Sequence, residues 1–232
     1  MTSIVDNILQ KLSKYDNVWC KLLNIKNPYI DNYEYQLSRN IPMFDSVAYN
    51  KYPKLNHLYD KLWITKSQKI KCGMLSDLKD KTEDDLPKYP FFIKPRYGHK
   101  NAGSKGCHVI ENYNQLMYYI DYEDSMWCEY INEKESMTDF VLYEGKVVYQ
   151  LTSNYTKGNN PISDEWKYIS CNNKPSLKIE TWLLNNIKNY NGIVNIQSRG
   201  DKIIEVSLRP ARGGVYLKET RNKNVIKNIN NI

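Results

Sequence analysis

Residues 89–110 carry the side chains and the spacing that are best suited to chemistry. An apolar run ends at Lys94, and a second apolar run covers residues 107–110. The loop between them holds four basic side chains and several small residues, which are Gly98, Gly103, Ser104 and Gly106. A strand, a flexible loop and a second strand can place backbone N–H groups and a lysine against a polyphosphate. An ordinary hairpin with a long solvated tip fits the same pattern, so other parts of the chain must decide between the two interpretations.

Three further groups of polar residues accompany this loop in a fixed order. Upstream, Asp60 and Lys61 open a predicted helix. Downstream, a predicted strand ends at Glu129, and Glu135 comes six residues later. Near the end of the sequence a predicted hairpin carries polar side chains on both strands, with Gln197 on the first and Glu205, Ser207 and Arg209 on or after the second. The elements between these groups must position them if they act together.

The composition argues for some classes of protein and against others. The 232 residues suffice for one large domain or two small lobes. The net charge of +7, from 33 basic and 26 acidic residues, suits an anionic ligand such as a nucleotide. Apolar residues make up 41%, and no uninterrupted run approaches the ~20 needed to cross a bilayer. We therefore expect no membrane contact.

The N-terminus and the cysteines indicate the compartment. Asp6 and Lys11 interrupt the first apolar stretch, so the layout of a signal peptide is missing. The five cysteines are scattered and never form a CxxC pair, which argues against a disulfide framework and against a zinc site. These features favour a reducing, cytoplasmic location.

Hydrophobic periodicity predicts the elements that hold the polar groups. Glu144 and Gly145 form a tight turn between two strands, and Arg199 to Asp201 form another. Gly73 provides a C-cap for the helix that begins at Asp60. Residues 154–174 are polar and irregular and are a candidate substrate loop. The predicted helices are 3–23, 60–72, 112–122 and 175–190, and the predicted strands are 90–94, 106–110, 126–131, 137–143, 146–153, 192–198 and 202–208. The sequence therefore predicts an α+β fold with antiparallel sheets.

The ordered set of segments resembles the ATP-grasp superfamily over about residues 55–215. The segments that carry the resemblance are DKLW at the head of a helix, FIKP with its glycine/serine loop, CEYINEKE, the hairpin EGKVV, and NIQ followed by IIEVSLR. Most members of this superfamily are ATP-dependent ligases that join a carboxylate to an amine or another nucleophile through an acyl-phosphate, and some are kinases. The variant is similar to a small branch met in viruses and bacteria.

The resemblance implies two α+β lobes whose antiparallel sheets clasp a nucleotide, with ATP and Mg²⁺ as cofactors. The expected divisions are a helical or loop-like N-terminal segment (1–55), a first lobe (56–125), a second lobe (126–218) and a polar tail (219–232). Many members carry a further domain before the first lobe, and the resemblance leads us to expect that this domain is reduced or missing here. The acceptor site is then expected to be small, open or supplied by a partner, which fits a protein acceptor or a homo-oligomer.

The resemblance also implies roles for residues in the nucleotide site. Lys94 and Lys61 are expected to bind the phosphates, because a compact ammonium group suits a polyphosphate. The loop is expected to close over the phosphates through Gly103, Ser104 and Gly106. The hinge between the lobes, where backbone groups pair with adenine, is expected at Glu129, Tyr130 and Ile131. Glu135 is expected to bind the ribose hydroxyls with its two acceptor oxygens, although a solvated glutamate at the edge of a strand fits the same position.

Metal binding is expected at the last hairpin. Gln197 and Glu205 are cross-strand neighbours with oxygen donors suited to Mg²⁺. Ser207 and Leu208 stand where the common ending E-x-N-P-R has Asn and Pro, so Ser207 is at best a weak ligand or one that acts through water. Arg209 keeps its place in that ending and is expected to stabilise the transferring phosphoryl group.

The expected substrates are a small-molecule or peptide carboxylate and an amine. Three residues are weaker candidates for contact with them, which are Asp139, Trp166 and Arg212. A kinase on the same fold, which would hand the phosphate to a hydroxyl, remains an alternative, and so does a degenerate nucleotide-binding protein without turnover. A basic nucleic-acid binder is disfavoured, because the basic residues are interspersed with acidic ones and no binding motif supports it.

Overall fold

The computed structural model describes residues 37–38, 40–100, 105–156, 162, 165–166, 174–214, 217 and 222–232. The predicted helix at residues 3–23 lies outside them. The helices are α1 (Asp45–Lys51), α2 (Lys61–Ser67), α3 (Tyr113–Tyr119), α4 (Leu177–Asn186) and α5 (Lys223–Asn230). Short 3-10 helices cover Pro53–Tyr59, Leu75–Leu78, Glu83–Asp85, Gly98–Lys100 and Ala211–Gly214. In this described part of the chain, no helix is long and apolar enough to cross a membrane.

The first sheet is antiparallel and has the strand order β1-β4-β2-β3. Its strands are β1 (Cys72–Met74), β2 (Phe91–Pro95), β3 (His108–Ile110) and β4 (Ser125–Glu129). Side chains alternate across β2, so that Phe91 and Ile93 are buried with Leu116 of α3. The opposite face of the same strand carries Phe92 and Lys94. This sheet therefore presents Lys94 on the face away from α3.

The second sheet is also antiparallel and has the order β7-β6-β5-β8-β9. Its strands are β5 (Glu135–Tyr143), β6 (Lys146–Thr156), β7 (Glu165–Trp166), β8 (Gly192–Arg199) and β9 (Lys202–Ser207). Glu144 and Gly145 both adopt positive φ, of 49° and 72°, which is the conformation that a two-residue hairpin turn requires. Both predicted hairpins are therefore present, and the α+β fold with antiparallel sheets is confirmed.

The two faces of the second sheet are covered by different elements. On one face Phe140, Val194 and Ile196 pack in a core with Leu183 of α4. On the other face Val141, Leu151 and Ile193 pack with residues that follow β9. Only part of this second face is apolar, because polar residues alternate onto it at the other end of β5 and β8.

Helix α2 lies between the two sheets. Leu62 packs against Met126 and Cys128 of the first sheet. Ile64 packs in the core that includes Val206 of β9. A single short helix therefore contacts both sheets, and the residue at its start, Lys61, lies where they approach each other.

The predicted helix 60–72 is wrong at its end, since α2 stops at Ser67. Gln68 donates to the carbonyl of Ile203 at 2.8 Å and accepts from Ile203 N at 2.7 Å, so its side chain pairs with β9. Lys69 then reverses the chain with φ 60°. Gly73 lies in β1 and is not a C-cap. Glycine fits this position because a Cβ there would lie 2.7 Å from Nε1 of Trp127.

Two segments differ from the expected division of the chain. Strand β4 pairs with β1 and β2, so residues 126–129 lie in the first sheet and not with the second lobe. The expected polar tail contains the amphipathic helix α5, whose Ile226 and Ile229 are buried in the second sheet's apolar cluster with Leu37. The segment was predicted to be a polar tail because Asn and Lys dominate its composition, although its apolar residues fall on one side of the helix.

Candidate active site

The start of α2 is fixed to the end of β2 by a bidentate ion pair. Asp60 caps the helix by accepting from Leu62 N at 3.0 Å and Trp63 N at 3.3 Å. Arg96 donates to both carboxylate oxygens of Asp60, at 2.9 and 2.6 Å, and its carbonyl accepts from Lys61 N at 2.9 Å. Burial alone would raise the pKa of Asp60, but Arg96 and the helix N–H groups hold it below its ordinary value. This contact brings the backbone of Lys61 next to the strand that carries Lys94.

Two lysines and a glutamate meet between the sheets. Lys94 is 6% exposed, and its Nζ donates to the carbonyl of Ile204 at 3.1 Å. Nζ of Lys61 lies 3.3 Å from Oε2 of Glu205 on β9. The backbone of Gly98 closes over the pair, since a Cβ there would lie 3.0 Å from Oε1 of Glu205. The predicted phosphate lysines and the predicted metal glutamate therefore share one cleft.

Burial lowers the pKa of Lys94, and the neighbouring Lys61 cation lowers it further. A buried ammonium group has lost its hydration, so an anion placed beside it gains more than one placed beside a solvated lysine. The two lysines therefore make this part of the protein favourable for binding a negatively charged group.

Gln197 lies directly opposite Glu205 in the β8–β9 register. Its Nε2 donates to Oε1 of Glu135. Arg199 holds the other oxygen of Glu135 at 3.3 Å and also donates to the carbonyl of Ile131 at 3.1 Å. Arg199 was predicted only as part of a turn, although the two-residue period of the strand puts it on the same face as Gln197.

The donors at this edge of the second sheet fit a magnesium ion that is also held by nucleotide phosphates. Glu205 and Gln197 supply one carboxylate and one amide oxygen from neighbouring strands. Within the described ranges, no group of three or more His, Cys, Asp or Glu residues could hold a metal by itself. Mg²⁺ commonly takes one or two protein ligands and completes its shell with phosphate and water, so the sparse donor set is sufficient. Ser207 is buried and lies opposite Asn195, one step along the same face.

Asp139 is buried on β5 and ties the end of β9 to the sheet. Its Oδ1 accepts from Nδ2 of Asn195 and from Ala211 N, both at 2.9 Å. No described residue hydrogen-bonds its Oδ2. Burial raises the pKa of Asp139 to about 6. Its predicted contact with substrate or ribose stays a prediction.

Arg209 is held by the helix that precedes the first sheet. Its Nη2 lies 2.6 Å from Oδ2 of Asp45 in α1. One turn along, Tyr49 stacks on His99 at 3.9 Å between ring centroids, which ties α1 to the short helix beside Glu205. No functional role was predicted for the residues of α1, and this helix contacts the candidate site through Asp45 and Tyr49.

The structure also gives the positions of most of the other predicted residues. Glu129 is exposed at the end of β4, and its N–H donates to the carbonyl of Lys71 at 3.0 Å. Residues 130–134, including Tyr130 and Ile131, carry the chain from the first sheet to the second. Gly106 has φ 76° and lies against Pro95. Gly103 and Ser104 lie outside the described residues. Trp166 is on the edge strand β7 and Arg212 is in the helix Ala211–Gly214, and their predicted substrate contacts stay predictions.

The fold of the described residues is similar to that of solved structures. N5-carboxyaminoimidazole synthetase from Staphylococcus aureus, complexed with ADP, is 19% identical with a TM-score of 0.52, over 70% of this chain and 48% of that one. D-alanine–D-alanine ligase from Bacillus anthracis, complexed with ATP, is 15% identical with a TM-score of 0.50, over 82% of this chain and 67% of that one. This chain therefore spans about half the length of the first of these proteins. No protein-family model matches it, and no curated protein matches its sequence. The resemblance seen in the sequence is confirmed for the fold: the chain has the ATP-grasp fold.

Proposed function

We propose that this protein is an ATP-dependent ligase that joins a carboxylate to an amine through an acyl-phosphate. The observation that carries the proposal is the cleft where Lys94 and Lys61 meet Glu205. It combines cations suited to a triphosphate with an oxygen ligand suited to Mg²⁺. The two similar structures contain ADP and ATP, which supports a nucleotide as the ligand.

Nucleotide binding would use charges that already lie between the sheets. Lys61 would hold a phosphate oxygen, and Glu205 with Gln197 would hold Mg²⁺ through one carboxylate and one amide oxygen. Lys94 is already desolvated and supplies a second cation without moving far from Ile204. The metal, when bound, neutralises charge on the triphosphate. The exposed end of β4 and the connection 130–134 provide the edge for the base.

The chemistry requires positioning and charge neutralisation, with no protein nucleophile. A carboxylate oxygen of the substrate attacks the γ-phosphorus, the bond to ADP breaks, and an acyl-phosphate forms. The amine nitrogen then attacks the carbonyl carbon, phosphate leaves, and the amine loses a proton to solvent. Arg209 stabilises the charge on the transferring group, and Asp45 fixes the guanidinium in place.

Transfer of ¹⁸O tests the proposal directly. The protein is incubated with Mg-ATP, an amine pool and a pool of ¹⁸O-carboxylates, and the released phosphate is analysed by mass spectrometry. One ¹⁸O in the phosphate, dependent on both pools and absent from Lys94→Met, is the expected result. A stable phosphoproduct would instead indicate a kinase. Binding of ATP without turnover in any pool would indicate a degenerate nucleotide-binding protein.

A further inference from the structure

The amide of Gln197 has one orientation imposed on it by its neighbour. Glu135 is 3% exposed and is paired with Arg199 at 3.3 Å. An ionised carboxylate only accepts hydrogen bonds, so the side of Gln197 that faces Glu135 must be its NH₂ group. The structure has this arrangement, with Nε2 donating to Oε1 of Glu135. The amide carbonyl oxygen therefore lies on the side away from Glu135.

The register of the sheet places Glu205 beside this amide. Gln197 and Glu205 are direct cross-strand partners, so their side chains project from the same face. An amide that could rotate freely would present an NH₂ group, which repels a cation, as often as an oxygen. Fixing the NH₂ group on Glu135 removes that alternative.

We propose that Glu135 is a positioning residue that orients Gln197 as an oxygen ligand for the nucleotide-bound metal, with Arg199 balancing its charge. This inference rests on the proposed nucleotide and metal site. It gives Glu135 a different role from the expected ribose contact. It also explains why a neutral amide stands at position 197, because a second carboxylate there would face the buried Glu135 and would be repelled.

Exchanging the two side chains tests the inference. Mn²⁺ binding is measured by electron paramagnetic resonance in the presence of a non-hydrolysable ATP analogue. Gln197→Glu adds a carboxylate ligand, yet we expect about tenfold weaker Mn²⁺ binding, in the range for lost outer-shell partners. In the double variant Glu135→Gln/Gln197→Glu, the donor and acceptor roles are swapped and the net charge is kept. We expect its Mn²⁺ affinity to return to within about threefold of the wild type.

The matched control is Glu133→Gln. Glu133 lies two residues before Glu135, in the connection 130–134, but it is exposed and paired with Lys202, so Mn²⁺ affinity should not change. Far-ultraviolet circular dichroism and thermal unfolding establish that each variant is folded, and the charge-conserving double variant keeps the test valid if Gln197→Glu is unstable. Tighter Mn²⁺ binding by Gln197→Glu, or effects of the two substitutions that simply add, would overturn the inference.

A second arm separates positioning from ribose binding. ADP affinity is measured by calorimetry with EDTA present, for the wild type and for Glu135→Gln. Positioning predicts a change of less than about twofold, since no metal is bound. A larger loss that disappears with 2′-deoxy-ADP or 3′-deoxy-ADP would assign Glu135 to the ribose and overturn the inference. If the wild type binds neither ADP nor the Mn²⁺–analogue complex, the proposed function itself fails, which is distinct from an uncoupled pair in a protein that binds both.

Discussion

Replacing Asp139 by Asn should change the pH dependence of stability. The difference in unfolding free energy between the variant and the wild type should shift in favour of the variant as the pH rises from acid to neutral. In the folded protein burial raises the pKa of Asp139 to about 6, whereas the ordinary value is 3.8. Between these values the folded state keeps a proton that the unfolded state has lost, so wild-type stability falls as the pH rises through this window. Each pH unit corresponds to about 1.4 kcal/mol, so the ionised carboxylate costs about 3 kcal/mol at pH 7.

Asn keeps the geometry but cannot ionise. Its oxygen can still accept from Asn195 and Ala211, and its NH₂ group takes the place of Oδ2, for which no described residue provides a partner. An unpaired amide N–H costs about 1–3 kcal/mol, but that cost does not depend on pH. The difference in unfolding free energy between Asp139→Asn and the wild type should therefore increase by about 3 kcal/mol from pH 3.5 to pH 7.5.

Urea unfolding across this pH range measures the difference. In thermal unfolding the same change corresponds to a relative shift of about 6–12 °C. Asp80→Asn, which removes the carboxylate of an exposed aspartate, provides the matched control. A difference for Asp139→Asn that does not change with pH would refute the argument, since it would mean that the carboxyl titrates alike in the folded and unfolded states.

Three other substitutions test the site and the contacts that hold it. Lys94→Met should weaken ATP binding at least tenfold in calorimetry and AMP binding by no more than about twofold. The reason is that a lost charge-assisted contact costs about 1.5–3 kcal/mol. Equal losses for both nucleotides would contradict a role at the phosphates. Asp60→Ala should lower the free energy of unfolding in urea by about 1–2 kcal/mol, because the N-cap of α2 and the partner of Arg96 are both removed. An unchanged urea midpoint of unfolding would show that the Asp60–Arg96 ion pair does not stabilise the fold. Arg209→Gln should leave ATP affinity within about threefold of the wild type but lower the rate of ADP formation at least 100-fold. An unchanged rate would show that Arg209 does not stabilise the transition state.

The two hairpins could be predicted because their information is local. The alternation of apolar and polar residues along β5 and β6 predicts which side of the sheet each side chain occupies. The turn at Glu144 and Gly145 needs two residues with positive φ. The end of α2 is different, because it depends on Gln68 pairing with Ile203, which lies far along the sequence. No sequence signal near Ser67 indicates that contact, so the helix was predicted to continue to Cys72, just before Gly73.

The site divides in the same way. The residue types and their order indicated Lys94, Lys61, Gln197 and Glu205. The fold brings the two lysines and Glu205 together between the sheets, with Gln197 opposite Glu205 on the neighbouring strand. Arg199 was missed because an Arg-Gly-Asp turn is typical of an exposed position. In the fold Arg199 is buried against Glu135 and donates to the carbonyls of Ile131 and Ile162, all of which lie far from it in the sequence.

The first sheet is built from one uninterrupted stretch of chain whose outermost residues are neighbours. Cys72 of β1 lies opposite Cys128 of β4, and Glu129 N donates to the carbonyl of Lys71. The stretch therefore leaves the rest of the protein and comes back at nearly the same point. Chain ends that lie this close together are the arrangement that best tolerates insertion or exchange of the segment between them, here residues 71–129.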